Sequence, residues 1–207
     1  MEYIKIPNIF KRETFGNNKL IEGEYSSKEL AYLKDALWEF TEKIDGTNIR
    51  IVWDGYRVSF MGRTDKAQIP AHLLEKLNEL FGGESKEELF EQTFGKKGVI
   101  LFGEGYGEKI QKGGGLYGPV NFRLFDVNID GFWLVQEAVD GIAETFNIKT
   151  APFMFRGTLE DGVRFIKSHP KSVLRDAEME GIVGRPTVQM FSRTGERIMV
   201  KIKCRDF

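Results

Sequence analysis

Lys43 sits in Glu42-Lys43-Ile44-Asp45-Gly46-Thr47-Asn48, where an amine, a carboxylate and a glycine follow one another at the end of an apolar segment. An amine can serve as a nucleophile only when neutral, so burial or neighbouring positive charge must depress its pKa. Only companion motifs elsewhere in the chain can decide whether Lys43 has that role, and one pair of cations stands out near the end, in Lys201-Ile202-Lys203. Strand alternation puts Lys201 and Lys203 on one face, about 7 Å apart. Two ammonium groups so placed repel unless an anion lies beside them; a solvated strand face is the competing reading. Taken alone, Lys-x-Asp-Gly is also open to a plain reading as a turn, since the chain has five Asp-Gly pairs.

These residues need elements to hold them. Leu37–Thr41 reads as extended, and Ile49–Trp53 alternates with a period of two, so Lys43 falls near a break between strands. Gly46 there permits a close backbone approach or a positive φ. Asp54-Gly55 between Ile49–Trp53 and Tyr56–Met61 predicts a hairpin with a type I′ turn. Ser26-Ser27-Lys28-Glu29 predicts a capping box opening a short helix. Ala71–Phe81 places five apolar residues on one helical face and stops at Gly82-Gly83, Ser85-x-x-Glu88 opens a second helix, and Val135–Phe146 and Thr158–Ser168 read as two more.

Val99–Phe102 is a short buried strand, followed by a glycine-rich stretch, Gly103–Pro119, that matches no phosphate-loop pattern and reads as a flexible loop covering a ligand. Asn121–Asn128 is a further strand, with Phe125 and Asp126 on opposite faces, and the last forty residues add two more around Glu180 and Lys201. His72 and His169 are read as packing or helix-end residues. Strands interspersed with helices, without a β-α-β rhythm, argue an α+β fold with largely antiparallel sheets and flanking helices.

The bulk numbers bound the rest. The 207 residues suit one domain, and 41% hydrophobic residues with 17 Phe supply a core. The net charge of -1 excludes a protein that coats nucleic acid nonspecifically, but not an enzyme with basic residues gathered in a groove. One cysteine, Cys204, excludes an internal disulfide or a cysteine metal cage. No run approaches the roughly 18 apolar residues of a membrane span, and no signal peptide opens the chain. It is read as a cytoplasmic, soluble monomer.

In order, Lys43-Ile44-Asp45-Gly46, Phe102-Gly103-Glu104, Leu124-Phe125-Asp126-Val127, Glu180-Gly181-Ile182-Val183 and Lys201-Ile202-Lys203 resemble the motifs of the covalent nucleotidyltransferase superfamily of polynucleotide ligases and RNA capping enzymes. Glu42, Thr47-Asn48, Arg63 and Gly103–Gly107 make the chain most similar to phage-type ATP-dependent RNA ligases. The resemblance implies a single ATP-grasp-like ligase adenylation domain over residues 1–207, serving RNA repair and consistent with a phage origin. It implies three steps: lysyl-AMP formation on Lys43, transfer of AMP to a 5′-phosphate, and attack by a 3′-hydroxyl. It further implies that Lys201 and Lys203 face the α-phosphate, Glu42 and Ile44 lie against the adenine, and Phe125 stacks on it. Glu104 would take the ribose, Asn48 and Arg63 phosphate or the nucleic-acid end, and Glu180 a Mg²⁺ or Mn²⁺ ion. Arg50 and Asp126 are weaker candidates.

Two departures qualify this. Asp45 stands where some phage RNA ligases carry histidine, whereas DNA ligases and capping enzymes carry aspartate. The sequence ends at Cys204-Arg205-Asp206-Phe207, so the OB-fold or helical domain expected after the paired lysines is absent from it. RNA with 5′-phosphate and 3′-hydroxyl ends is the expected partner, in preference to DNA. The alternatives are a GTP-using guanylyltransferase of the mRNA-capping type, an ATP-dependent DNA ligase, and a non-catalytic nucleotide or nucleic-acid binding module. The last is disfavoured because every charged group the chemistry needs is present.

Overall fold

The computed structural model describes all residues from Met1 to Phe207 except Gly16. Along the chain run β1 (Phe10–Arg12), β2 (Leu20–Tyr25), α1 (Lys28–Tyr32), β3 (Trp38–Glu42), β4 (Thr47–Trp53), β5 (Val58–Gly62), α2 (Ala71–Phe81) and α3 (Glu84–Phe94). There follow β6 (Val99–Tyr106), β7 (Asn121–Ile129), β8 (Phe132–Trp133), α4 (Gln136–Thr145), β9 (Lys149–Thr150), β10 (Phe153–Gly157), α5 (Leu159–Lys167), β11 (Gly181–Pro186) and β12 (Val200–Lys203). The fold is α+β with largely antiparallel sheets, as the sequence predicts. Two compact units divide it: Met1–Tyr3 with Asp45–Ala151, and Ile4–Ile44 with Pro152–Phe207.

The first unit is built on a sheet ordered β5-β4-β6-β7-β8, with β9 added parallel to β7. Ile49, Ile51 and Trp53 of β4 alternate onto the face that meets Leu73, Leu77 and Phe81 of α2 and Phe90 and Phe94 of α3. Charged and polar residues fall on the other face. Arg50, only 1% exposed, is tied there to the Gly62 carbonyl (2.8 Å), the Met1 carbonyl (3.0 Å) and Asp65 (2.8 Å). Asp126 accepts a hydrogen bond from Tyr3. Both weaker candidates thus have structural work at the chain's N-terminus.

The second unit holds an antiparallel sheet ordered β10-β3-β11-β12, and a small β1-β2 hairpin. Trp38 and Phe40 of β3, Ile182 of β11 and Val200 and Ile202 of β12 join Leu159, Val163 and Ile166 of α5 in its core. Thr158 and Asp161 cap α5 reciprocally, so this helix starts where the sequence places it.

Several local expectations are corrected. The cap of α1 is Ser27, whose side chain accepts from Leu30 N; Ser26 instead bonds the Asn8 carbonyl. The hairpin turns through Asp54–Arg57 and is not type I′, which needs positive φ at both central residues: Gly55 has φ 98°, but neither Asp54 nor Tyr56 is positive. Asp54 N donates to the Arg57 carbonyl (3.3 Å), and Asp54 Oδ1 accepts from Tyr56 N and Arg57 N (2.8 Å each). Helix α3 begins after Gly83, one residue before Ser85. Strand β6 runs on through Gly103-Glu104-Gly105-Tyr106, so those residues are sheet. The remainder, Gly107–Gly118, is compact: Tyr117 packs on Tyr106, and Glu108 N bonds the Gly118 carbonyl at 3.0 Å.

Candidate active site

In the second unit, three neighbouring strands deliver the groups that could do chemistry. Strand β11 lies between β3 and β12, with Ile182 opposite Glu42 on one side and Gly181 opposite Lys203 on the other. Lys43 follows β3 and its backbone N donates to the Gly181 carbonyl at 2.9 Å. Glu180, the residue before Gly181, is therefore flanked by a lysine from each neighbour. Its Oε2 accepts from Lys43 Nζ at 2.6 Å, and its Oε1 from Lys203 Nζ at 3.0 Å. The Cβ of any larger residue at Gly181 would lie 2.1 Å from the Ile202 carbonyl oxygen, so glycine is what lets β12 pass this close.

Burial pushes the Glu180 carboxyl up, but the Lys43 and Lys203 ammonium groups outweigh it and hold the pKa below its usual 4.5. The result is an ionised carboxylate gripped by two cations. Lys201 projects to the same side of β12 as Lys203, and its backbone is pinned by the N-terminal segment: Lys201 N donates to the Pro7 carbonyl (2.9 Å) and Ile9 N to the Lys201 carbonyl (3.2 Å). The structure brings Lys43, Glu180 and Lys203 together, although 137 residues separate the first two.

Glu42 is 2% exposed, and both its oxygens are occupied, Oε1 by Ser172 Oγ and Oε2 by Val173 N at 3.0 Å. Ser172 Oγ in turn accepts from Leu174 N and Arg175 N, so Glu42 organises the loop that leads to Glu180. Ile44 is buried beside it in the chain. Ser172 and Val173 are site residues the sequence analysis missed; no periodicity marks that loop.

The other candidates belong to the first unit. Asn48 and Glu104 face each other across β4 and β6. Asn48 Oδ1 is buried with no hydrogen-bond partner, a costly state that a bound polar group would relieve. Phe125 is an extra residue in β7, because Asp126 pairs with Phe102 while Leu124 pairs with Gly103. The bulge cancels the predicted alternation: Tyr3 packs edge-on against Phe125 at 5.0 Å and also bonds Asp126. Arg63 is exposed in the turn after β5. Gly46 has no positive φ; a Cβ there would sit 2.3 Å from the Gly105 carbonyl oxygen, so the close-approach reading applies. Tyr117 Oη accepts from Asp45 N (3.0 Å) and Gln111 donates to the Gly46 carbonyl (3.1 Å), fastening the segment after the lysine.

Compared with known sequences, residues 36–203 match the model of the RNA ligase family. The chain belongs to that family. A search of curated protein sequences found no match. Among solved structures, an RNA ligase of Naegleria gruberi with AMP and Mn aligns at TM-score 0.64 and 17% identity, covering 84% of this chain and 52% of that one. The same ligase in an apo form gives TM-score 0.65, 18% identity and coverage of 86% and 52%. A form with ATP and Mn gives 0.64, 16%, 97% and 61%. The chain thus spans about half to three-fifths of the length of these ligases, and the likeness confirms the RNA ligase fold. Among the described residues no helix is long and apolar enough to cross a membrane.

Proposed function

We propose that this RNA ligase family member is an ATP-dependent RNA ligase working through a lysyl-AMP intermediate, and that both units serve one adenylyltransferase domain. The observation that carries this is the Lys43–Glu180–Lys203 cluster: an amine and a second cation held on one carboxylate. Lys43 is the nucleophile. Its nitrogen forms a bond to the α-phosphorus of ATP, the bond to the bridging oxygen breaks, and pyrophosphate leaves. For this Lys43 must leave Glu180 and give up a proton to solvent, since only the neutral amine carries the lone pair that attacks. Lys201 and Lys203 stabilise the charge that grows on the phosphoryl oxygens. AMP then passes from Lys43 to the 5′-phosphate of an RNA end, and a 3′-hydroxyl displaces it.

No cluster of three or more metal-ligating side chains exists among the described residues. Glu180 fits a cation that takes a single carboxylate and completes its shell with phosphate oxygens and water, the habit of Mg²⁺. Such an ion, Mg²⁺ or Mn²⁺, would neutralise charge on the phosphates. On the family pattern Glu104 takes the ribose, Phe125 stacks on the adenine, and Asn48 and Arg63 hold phosphate. The orphaned Asn48 oxygen is an acceptor and calls for a ligand N–H or O–H, such as a sugar hydroxyl; only the amide nitrogen of the same side chain could donate to a phosphate oxygen. Glu42 is assigned to the adenine edge and Ile44 to the base; a base reaching Glu42 must share it with Ser172 and Val173.

Incubation with α-labelled ATP or GTP and Mg²⁺ tests this reading. Transfer of label to the protein from ATP alone is expected, through a bond that acid cleaves and alkali does not, as a lysine–phosphorus bond requires. Label from GTP alone would move the chain to the capping-type guanylyltransferases.

A further inference from the structure

Beside the lysine strand, the second unit has an open polar cavity of about 370 Å³. Lys201 and Lys203 form one wall; Arg12, Arg205 and three asparagines, Asn8 among them, form the rest. Four cationic side chains thus face a single carboxylate, Asp206. That carboxylate is already taken, since Arg12 Nη2 bonds both its oxygens at 2.7 Å. Guanidinium forks, ammonium groups and side-chain amides together suit the oxygens of a phosphate.

The walls are fixed before any ligand arrives. Pro7 and Ile9 hydrogen-bond the backbone of Lys201, and the Arg12–Asp206 fork ties the N-terminal hairpin to the turn that follows Lys203. Only Lys201 and Lys203 lie inside the segment that matches the family model, residues 36–203; the other lining residues lie outside it. A cosubstrate used by a whole family is read by residues within the shared segment. Groups added outside it suit whatever differs among members, and in a ligase that is the strand being joined.

We propose that this pocket holds a backbone phosphate of the RNA strand next to the 5′-phosphate under reaction, with Arg205 its principal added contact. The assignment rests on the RNA ligase reading. Lys203 links the two sites, as it lines the pocket and also bonds Glu180.

Arg205 is exposed, so Arg205→Gln leaves the fold intact, and matched thermal melts check this. Asn17→Asp, which puts a carboxylate at the exposed mouth, is a second variant. Anisotropy of a 5′-phosphorylated fluorescent RNA with the 207-residue chain, and sealing of pre-adenylylated RNA without ATP, read the RNA directly. Each variant is expected to weaken binding and raise the KM for pre-adenylylated RNA about tenfold. Arg205→Gln should also lower the salt slope of binding by about one. The ATP concentration that half-saturates labelling of Lys43 should move less than twofold.

Equal RNA binding by wild type and both variants would overturn the proposal. A defect confined to the half-saturating ATP concentration would also overturn it and give the pocket to the polyphosphate tail of ATP. If no chain forms the lysyl adduct but RNA binding still depends on Arg205, the pocket stands and the ligase reading falls.

Discussion

Lys43 Nζ and Glu180 Oε2 are 2.6 Å apart, and the other oxygen of the same carboxylate holds Lys203. The proposed nucleophile is therefore held in an ion pair, and the group that must release it is the one proposed to take the metal. Glu180→Gln keeps the shape but removes the charge. It should lower the rate of adduct formation about 100-fold or more and cost about 1–3 kcal/mol of stability by leaving two ammonium groups poorly compensated. Single-turnover labelling and urea melts check both.

The same pair sets a pH dependence. The Glu180 carboxyl is held below its usual 4.5 in the folded chain, so its contribution to stability is fully present above 4.5. It is lost as pH falls through the lower folded-state value. Wild type should lose more stability than Glu180→Gln between pH 7 and pH 3, measured by denaturant midpoints. Parallel pH curves for the two would contradict this.

Cys204 gives a signal at the other end of the scale. Burial, reinforced by the nearby Glu178 carboxylate, pushes its thiol up to about 11. A neutral, buried thiol is a poor nucleophile. Iodoacetamide at pH 8 should modify the native chain far more slowly than the chain in urea. Because the thiol ionises near 9.0 when unfolded, stability should fall as pH rises from 9.0 towards 11.

Glu42 holds Ser172 and Val173 from a buried position. Glu42→Ala leaves those donors unmatched and should destabilise the chain by about 2–3 kcal/mol. Limited trypsin digestion should then cut after Lys171 or Arg175 sooner than in wild type. Unchanged cleavage there would show that the loop does not depend on this carboxylate.

Much of this arrangement was legible in the chain because periodicity reports burial. Helix α2 has its predicted bounds, since Leu73, Leu77 and Phe81 repeat on one face and Gly82 ends it. Strand β12 is legible for the same reason, with Val200 and Ile202 buried and the lysines opposite. The Phe125 bulge is not, because an extra residue in a ladder leaves composition and hydropathy unchanged. Strands β8 and β9 are two residues each, too short for any pattern, and β10 begins directly after Pro152, which masks it. The Glu42 clasp and the Arg12–Asp206 fork join residues 130 and 194 positions apart, through loops whose sequences carry no register.

The most direct test is to incubate the chain with ATP and Mg²⁺, digest it, and locate any nucleotide adduct by mass spectrometry. A single AMP on Lys43, absent from Lys43→Ala and removed by added pyrophosphate, is the predicted result. An adduct on another lysine, or full labelling of Lys43→Ala, would contradict the assignment of the nucleophile.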